Sequence, residues 1–598
     1  MRILGISCFY HDAAAALLHD GMLMAASEEE RFSRKKHDFR FPSHAIRFCL
    51  DAGRITSQDL DYVVFYEKPF LKFERILFTS LQTFPRSCGI FREAMTNWLL
   101  DKLWIKANIQ DELELPSEKI LFSDHHLSHA ASAFFCSPFE DAAILTADGV
   151  GEWSTTTMGM GRASWDGRTP NGIRVFRELR FPHSIGLLYS AFTAFLGFEV
   201  NEGEYKVMGM APYGTPTYLD EVRQLLQMTD HGGFRLEMDY FSYHYSTHAS
   251  FTRKFERLFG PPRDPASPFV TGEFGDAFDR DPELRQQSQH YADIAASIQR
   301  VTEELLLGLA RQLYEETKLP RLCLAGGVAY NSAANGRIIR ETPFTDVYVQ
   351  PAAGDSGGAV GAALYAYHAV LQQPRAFVMQ HAYWGRSFGD DEILAAVQRH
   401  GLAADVTSSE EEAARQTARR LVQGQVVGWY QGRCEWGPRA LGNRSILADP
   451  RRKEMKAVVN RKIKFREPFR PFAPSMLDRR VREFVDYPEG KSLSPATFML
   501  AVSPIKPAQR ETIPAVTHVD GTGRLQVVEQ ATNPLYYALI ETFEAETGVP
   551  VVLNTSFNLK GEPMVNSPED AISTFLRSEM DALVMGRYVV GKAGSRTP

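Results

Sequence analysis

Residues 142–161 read AAILTADGVGEWSTTTMGMG. An apolar run, AAILTAD, stops at the glycine-flanked turn GVGEW, and STTTMGMG returns as a second strand. The chain opens on the same layout. RILGIS (2–7) is a strand, CFYHD a turn, AAAALLHDG a strand ending in its own turn, and MLMAASEEE a third strand. A strand, an acidic turn and a returning strand used twice indicate duplication. Each copy precedes further α/β signals. PRLCLAGGVAYNSAANG (320–336) runs a strand into Gly326-Gly327 and then a helix, and VYVQPAAGDSGGAVGAALYAYHAVL (347–371) repeats that order about thirty residues later. Either loop alone could be tight strand-to-helix packing through glycine. Two of them behind duplicated hairpins fit an α/β nucleotide-binding domain, in which glycine lets the backbone approach a phosphate at a helix N-terminus.

At 598 residues the chain exceeds one ordinary core, so at least two domains are expected. The pattern loosens around 371–404, where QQPRAF and WGRSFGDDE carry proline, glycine and charge, the marks of a connection. From 405 a second α/β unit begins: SSEEEAARQTARRLVQG reads as a capped helix, followed by the strand VVGWYQG. The expected organisation is therefore 1–370, a connection at 371–404, and 405–598. A net charge of −7 argues against a general nucleic-acid or membrane-surface binder. Six scattered cysteines without a CxxC exclude a zinc ribbon or a disulfide framework. His11 and Asp12 interrupt the first apolar patch before a signal-peptide core forms, and no uncharged run approaches the ~18 residues of a membrane span. The cytoplasm is the expected compartment.

Two stretches carry chemistry. LFSDHHLSHAASAFF (121–135) places His125 and His129 at i,i+4 on one helix face. Such a pair is more often packing than a metal site, so further ligands would have to come from elsewhere. Residues 433–470 hold twelve Lys/Arg against four Asp/Glu, a local charge of +8 that leaves −15 on the remainder. A solvated basic face is the usual outcome of a charge run. Here Arg439 and Arg444 lie among WGP and ALGN, while Lys464, Arg466 and Arg470 alternate with Phe and Pro. Rigidly mounted cations suit a compact polyphosphate or an acyl phosphate better than a long nucleic acid. Further on, THVDGTGRLQVV places His518, Asp520 and Arg524 in a turn, and VVLNTSFNLKG ends a strand at Asn554-Thr555-Ser556.

Taken together, HDAAAALLHDG, EEERFSRKKH, HHLSHAASAFF, ADGVGEW, EYKVMGMAPYG, AGGVAYN, GDSGGAVGAAL, GRCEWGPRALGNRSILADPR, REPFRPFAPS and NTSFNLKGEPMV resemble, in order, the O-carbamoyltransferase family of antibiotic and nodulation-factor biosynthesis. The resemblance runs from about residue 3 to about 590. It implies an α/β protein, with a duplicated actin/hexokinase-like N-terminal domain similar to threonylcarbamoyl transferases and a YrdC-like C-terminal domain. The latter would make carbamoyl adenylate from carbamoyl phosphate and ATP, with Mg. The former would pass the carbamoyl group to a hydroxyl of a small natural-product acceptor. Carried over by position, His125, His129, Asp148 and Asp355 would hold a divalent metal, iron(II) by family analogy. Imidazole and carboxylate ligands by themselves suit Fe, Mn or Zn about equally. His11 would be a general base, and Lys36 would lie near the carbamoyl adenylate. Gly326, Gly327 and Asn331 would line the nucleotide. Arg439, Arg444, Lys464, Arg470, Arg524, Asn554 and Ser556 would bind phosphate and nucleotide in the second domain. The family commonly forms homodimers.

The resemblance does not carry the acceptor. The first turn, CFYHD, departs from the aminoglycoside-modifying pattern, and residues 75–110 and 215–290 match the family least. These segments, rich in aromatics such as FSYHYS (241–246), are expected to shape the acceptor pocket. Two other readings use the same folds. A threonylcarbamoyl-type tRNA-modifying transferase is disfavoured by the WGPRALGNRS stretch and the acidic remainder. A small-molecule kinase of the actin-like fold would have no use for the His/His/Asp/Asp set.

Overall fold

In a computed structural model, the structure describes residues 1–100, 104–229, 233–272, 280–467 and 469–592. The chain forms two compact units, 1–25 with 39–378 and 26–38 with 379–598. No helix among the described residues is long and apolar enough to cross a membrane.

The first unit contains one five-stranded topology twice. In the first sheet β1 (Arg2–Ser7), β2 (Ala14–His19) and β3 (Met22–Glu28) form an antiparallel meander, and β4 (Tyr62–Phe65) and β5 (Ile120–Phe122) add parallel to β1, giving the order 3-2-1-4-5. The second sheet repeats it with β6 (Asp141–Ala147), β7 (Ser154–Arg162), β8 (Gly172–Arg180), β9 (Arg321–Ala325) and β10 (Asp346–Val349): a meander from 6 to 8, then 9 and 10 parallel to 6. The repeat bears out the duplication read from the two hairpins and matches the actin/hexokinase-like architecture implied by the resemblance. The central strands β1 and β6 are buried at nearly every position, as strands covered on both faces must be.

Small residues bring the covering helices close. Helix Asp355–Leu364, DSGGAVGAAL, is buried throughout. A Cβ on Gly361 would lie 1.8 Å from the carbonyl of Ser128, and one on Gly5 of β1 would lie 1.9 Å from that of Ala359. Only glycine permits this approach, and it sets the first residue of the helix, Asp355, beside helix His125–Phe134.

The stretch expected to connect the domains does structural work in each unit. Asp390–Arg399 is a helix of the second unit. In the first unit Arg375 is 3% exposed, its guanidinium stacks 4.4 Å over the Trp165 ring, and it donates to the carbonyls of Phe134, Phe135, Ser137 and Phe139. It thus supplies donors to carbonyls at and just beyond the C-terminal end of the histidine-bearing helix. Arg375→Ala should lower stability by roughly 3 kcal/mol or more, measured by denaturant unfolding, because four buried acceptors lose a charged donor. Arg375→Lys should recover only part of this, since one ammonium cannot reproduce a planar fork.

The second unit is built on one mixed eight-stranded sheet. Its centre is Val427–Tyr430, paired parallel to Ala582–Met585 and antiparallel to Arg444–Ala448, which pairs antiparallel to Val551–Ser556. Segment 26–38, expected within the N-terminal domain, belongs to this unit. Glu28 accepts from the Gly437 N–H at 2.7 Å, Arg31 donates to the Gly437 carbonyl at 2.7 Å, and Arg34 donates to the carbonyls of Met564 and Pro563. Two motifs 400 residues apart in sequence, EEERFSR and CEWGPRALGNR, are therefore one piece of structure.

Candidate metal centre and anion cluster

Helix His125–Phe134 starts after Asp124, and its first turn is fixed by Glu152, whose carboxylate accepts from the backbone N–H of His125 at 3.0 Å. His125 and His129 are fully buried, one turn apart. Asp148 lies in the turn after β6, where its Oδ1 accepts from the Gly327 N–H at 2.8 Å, leaving Oδ2 for the site. His125 Nε2 is 3.0 Å from Asp148 Oδ2, 3.6 Å from Asp355 Oδ1 and 3.1 Å from His129 Nε2. His129 Nε2 is 3.6 Å from both carboxylates. All four donor atoms lie within 4.8 Å of one another.

A tetrahedral ion with bonds of about 2.0–2.1 Å sets its ligand atoms about 3.3–3.4 Å apart, close to this spacing. At most one hydrogen can lie between two imidazole nitrogens that face each other at 3.1 Å. The buried Nδ1 atoms of both histidines and Oδ2 of Asp355 also lack hydrogen-bond partners. Two imidazoles and two carboxylates converging in a buried pocket fit a divalent ion of the Zn, Fe or Mn type. Burial works against the charge of Asp148, yet hydrogen bonds from His125 and His129 hold its carboxyl far below the ordinary range. Behind His125, Glu67 Oε2 faces Nδ1 at 3.7 Å, the side from which a carboxylate orients a metal-ligating imidazole. His126 is not part of the set. Its Nδ1 meets Thr146 Oγ1 at 2.7 Å, and burial followed by the fields of His125 and His129 lowers it to about 3.

The other expected residues of the first unit fall differently. Gly326 has a positive φ of 92°, and a Cβ there would lie 2.2 Å from the Ala147 carbonyl, so this turn requires glycine. Asn331 caps helix Ser332–Glu341 by accepting from the Ala334 N–H, and its amide exchanges hydrogen bonds with Gln299. Most of its bonding capacity is used within the protein. His11 sets Nδ1 2.9 Å from Asp12 and Nε2 3.1 Å from the Asn201 carbonyl, so both nitrogens are donors. Burial disfavours that imidazolium, but Asp12 outweighs it by charge and hydrogen bond and, with the field of Asp355, raises it to about 9. Lys36 lies in the second unit, within the field of Lys464.

The second unit gathers cations. Arg524 is in the field of Arg439, Arg466 and Arg470, and its guanidinium has no hydrogen-bond or ion-pair partner among the described residues. Burial first, and those three guanidiniums next, press its pKa well below the usual range. Lys464, 4% exposed, donates to the carbonyls of Ser556 at 2.7 Å and Asn558 at 2.8 Å and to the Asn558 side chain. Burial and the neighbouring Arg466 and Arg470 work against its charge, but several acceptors on one nitrogen describe an ammonium, the form that would meet an anion. Ser556 donates to Asn558 at 2.8 Å, and Asn554 to Gln526 at 2.8 Å, with its Oδ1 buried and unpartnered.

Arg444 is engaged within the protein. It is completely buried, donates to the carbonyls of Gln431, Gly432, Asn443 and Arg386, and stacks 3.7 Å over the Tyr430 ring. It holds the loop together through its two terminal nitrogens, while its buried Nε has no hydrogen-bond partner. Glu435 does the same from the anionic side, accepting from the N–H groups of Leu441, Asn443 and Arg444. Arg466, in place of Arg444, stands in the cation cluster, bonded to Asn460 Oδ1 at 2.7 Å and stacked on Phe472 at 4.7 Å. Glu67, Glu152, Glu435 and Arg466 were not singled out as site residues. Only Arg466 had a local signal, its place in the alternation KFREPFR.

Comparison with known proteins agrees along the chain. A family model described as the carbamoyltransferase N-terminus matches residues 2–364, and one described as the carbamoyltransferase C-terminus matches 418–592. An uncharacterized protein of Synechocystis sp. is 46% identical over 99% of this chain and 97% of its own length. Nodulation protein NolNO of Sinorhizobium fredii is 37% identical over 98% of this chain and 79% of its own. Nodulation protein NolO of Bradyrhizobium diazoefficiens is 37% identical over 78% of this chain and 79% of its own. The chain belongs to the carbamoyltransferase family.

Proposed function

We propose that this carbamoyltransferase divides its reaction between its two units. The second makes carbamoyl adenylate from carbamoyl phosphate and ATP, and the first transfers the carbamoyl group to a hydroxyl of a small acceptor. The observation that supports this reading most is the contrast in chemistry. One unit holds guanidiniums around Arg524 with no acid paired to it, and the other a buried His/His/Asp/Asp set.

Carbamoyl phosphate is a weak electrophile, because its nitrogen donates into the carbonyl. In the first half-reaction its phosphate leaves as inorganic phosphate with uptake of one water. The carbamate oxygen then attacks the α-phosphorus of ATP, supplied as its Mg complex, and pyrophosphate leaves. Negative charge moves among phosphate oxygens throughout, and Lys464, Arg439, Arg466, Arg470 and Arg524 are mounted where they can follow it without reorganising. AMP is then a better leaving group, with an adenosine handle for binding.

In the second half-reaction the acceptor oxygen attacks the carbonyl carbon, the bond to the AMP phosphate breaks, and the hydroxyl proton passes to a base. A divalent ion held by His125, His129, Asp148 and Asp355, iron(II) by family analogy, would supply Lewis-acid polarisation of a carbonyl or phosphoryl oxygen. Asp12 orients His11 through Nδ1. For His11 to serve as base, its Nε2 must first give up the proton now shared with Asn201, and the acceptor hydroxyl would replace that carbonyl.

The intact chain, incubated with ATP and carbamoyl phosphate but no acceptor, should release pyrophosphate and form carbamoyl adenylate detectable by mass spectrometry. Absence of pyrophosphate would overturn this reading.

A further inference from the structure

Helix Pro69–Gln82 is inverted relative to a helix packed by the hydrophobic effect. It buries Pro69, Lys72, Arg75 and Ser80, while Phe70 is 73% exposed, Phe78 51% and Leu81 66%. Lys72 is accounted for. Its ammonium pairs with Glu67 at 2.7 Å and lies 4.4 Å over the Tyr10 ring.

Arg75 is not. It is 7% exposed, has no hydrogen-bond or ion-pair partner among the described residues, and stacks 4.9 Å over the Phe181 ring. The carboxylates in its field, Glu67 and Glu152, are already engaged. Glu67 is held by Lys72, and Glu152 by the backbone N–H groups of Lys68 and His125. A guanidinium has five donors, and burying it without an acceptor is strongly unfavourable. A fold retains such a group where a ligand brings the missing oxygens.

We propose that Arg75 binds a carboxylate or phosphate of the acceptor, so that the acceptors of this enzyme are hydroxylated acids such as sugar acids or sugar phosphates. The assignment rests on the carbamoyl-transfer reading above and specifies its substrate class. Arg75 follows Lys72 by three residues on the same buried helix face, and Lys72 pairs with Glu67, whose Oε2 faces His125 Nδ1 at 3.7 Å. Arg75 therefore lies on the helix that flanks the metal-ligand set and is outside that set. That position suits a remote, non-reacting group of the acceptor and not the carbonyl under attack. The rings nearby, Phe181 with Tyr243 at 6.3 Å and Phe78 with Trp153 at 6.0 Å, offer apolar walls to the body of a cyclic molecule. An acceptor ammonium would meet an unneutralised cation there.

The test uses the intact chain with ATP, carbamoyl phosphate and, separately, glucuronate, glucose or glucosamine. Carbamoylated product and pyrophosphate are followed in the same reaction. Glucuronate should exceed the other two by about tenfold or more in kcat/KM, the range of one charge-assisted bidentate contact. Arg75→Met should remove that preference through KM while leaving acceptor-free pyrophosphate release unchanged, and Arg75→Lys should restore part of it. Calorimetric titration of glucuronate and glucose into wild-type protein without ATP reads the same preference independently of turnover. No preference for the acid in both measurements, or an undiminished preference in Arg75→Met, would overturn the assignment. Missing pyrophosphate would instead sink the transfer reading, and the calorimetry would still decide the anion site.

Discussion

His129→Ala should reduce carbamoyl transfer by roughly 10³-fold or more, while acceptor-free pyrophosphate release stays near the wild-type rate. Four donor atoms within 4.8 Å of one another form a chelate that loses most of its affinity when one ligand is deleted. The variant purified alongside wild type should therefore contain well under one equivalent of divalent metal by elemental analysis. Pyrophosphate release should survive, because it is assigned to the cation cluster of the second unit, which runs from Arg439 to Asn558. Removing a fully buried imidazole also leaves a cavity, at a cost of about 2–4 kcal/mol. Asp355→Asn provides the conservative control, since it keeps the shape and removes only the charge. It should lose metal and transfer together while melting close to wild type. Chelation of the wild-type protein should reproduce the transfer defect, and adding back the metal should reverse it. Loss of both half-reactions in folded Asp355→Asn would contradict the division of labour.

The duplicated half of the fold was legible because its signals are local. Each hairpin of the meander is two apolar runs with an acidic or glycine turn between them, and that pattern survives without knowledge of the rest of the chain. The Gly326 turn and the DSGGAVGAAL helix were readable for the same reason: close backbone approach demands glycine wherever it occurs. The convergence of His125 and His129 with Asp148 and Asp355 was different. The i,i+4 pair was visible in sequence, but its partners lie 19 and 226 residues beyond His129, and only the family resemblance linked them.

What escaped the sequence depends on partners far away along the chain. Arg444 sits in the motif expected to bind phosphate, and in the structure four carbonyls and the Tyr430 ring engage its guanidinium. Charge and loop composition cannot tell a cation that faces a ligand from one that ties a loop. Segment 26–38 reads as the end of a strand and a basic turn, and nothing local says that its glutamate and arginines will bind Gly437 and Met564. Arg75 was hidden for the opposite reason. The helix PFLKFERILFTSLQ looks like an ordinary amphipathic segment, and only the structure shows that its polar side is the buried one. Within the stretches expected to shape the acceptor pocket, residues 101–103, 230–232 and 273–279 lie outside the described residues.

Arg524→Met should move activity and stability in opposite directions. The guanidinium of Arg524 has no acidic partner and shares its surroundings with Arg439, Arg466 and Arg470. Without a ligand these groups repel, and burial disfavours the charge further, so replacing one by an apolar side chain of similar length relieves strain. Melting temperature in the absence of ligand should rise by roughly 2–4 °C, the size expected from about 1 kcal/mol in a unit of this size. The same substitution removes a donor from the transferring phosphates, and pyrophosphate release should fall by roughly 10²–10³-fold. The two effects have one cause, a site kept electropositive for an anion that is not always present. A ligand titration separates this account from simple structural damage. Inorganic phosphate or ATP should stabilise wild type through mass action, with a melting shift that grows as the logarithm of concentration, and Arg524→Met should show a smaller shift at every concentration. Transfer from carbamoyl adenylate added directly should be nearly unaffected, because that step uses the His/His/Asp/Asp set of the first unit. If Arg524→Met melted below wild type and still responded fully to phosphate, Arg524 would be a packing residue and the polyphosphate site would have to be sought elsewhere.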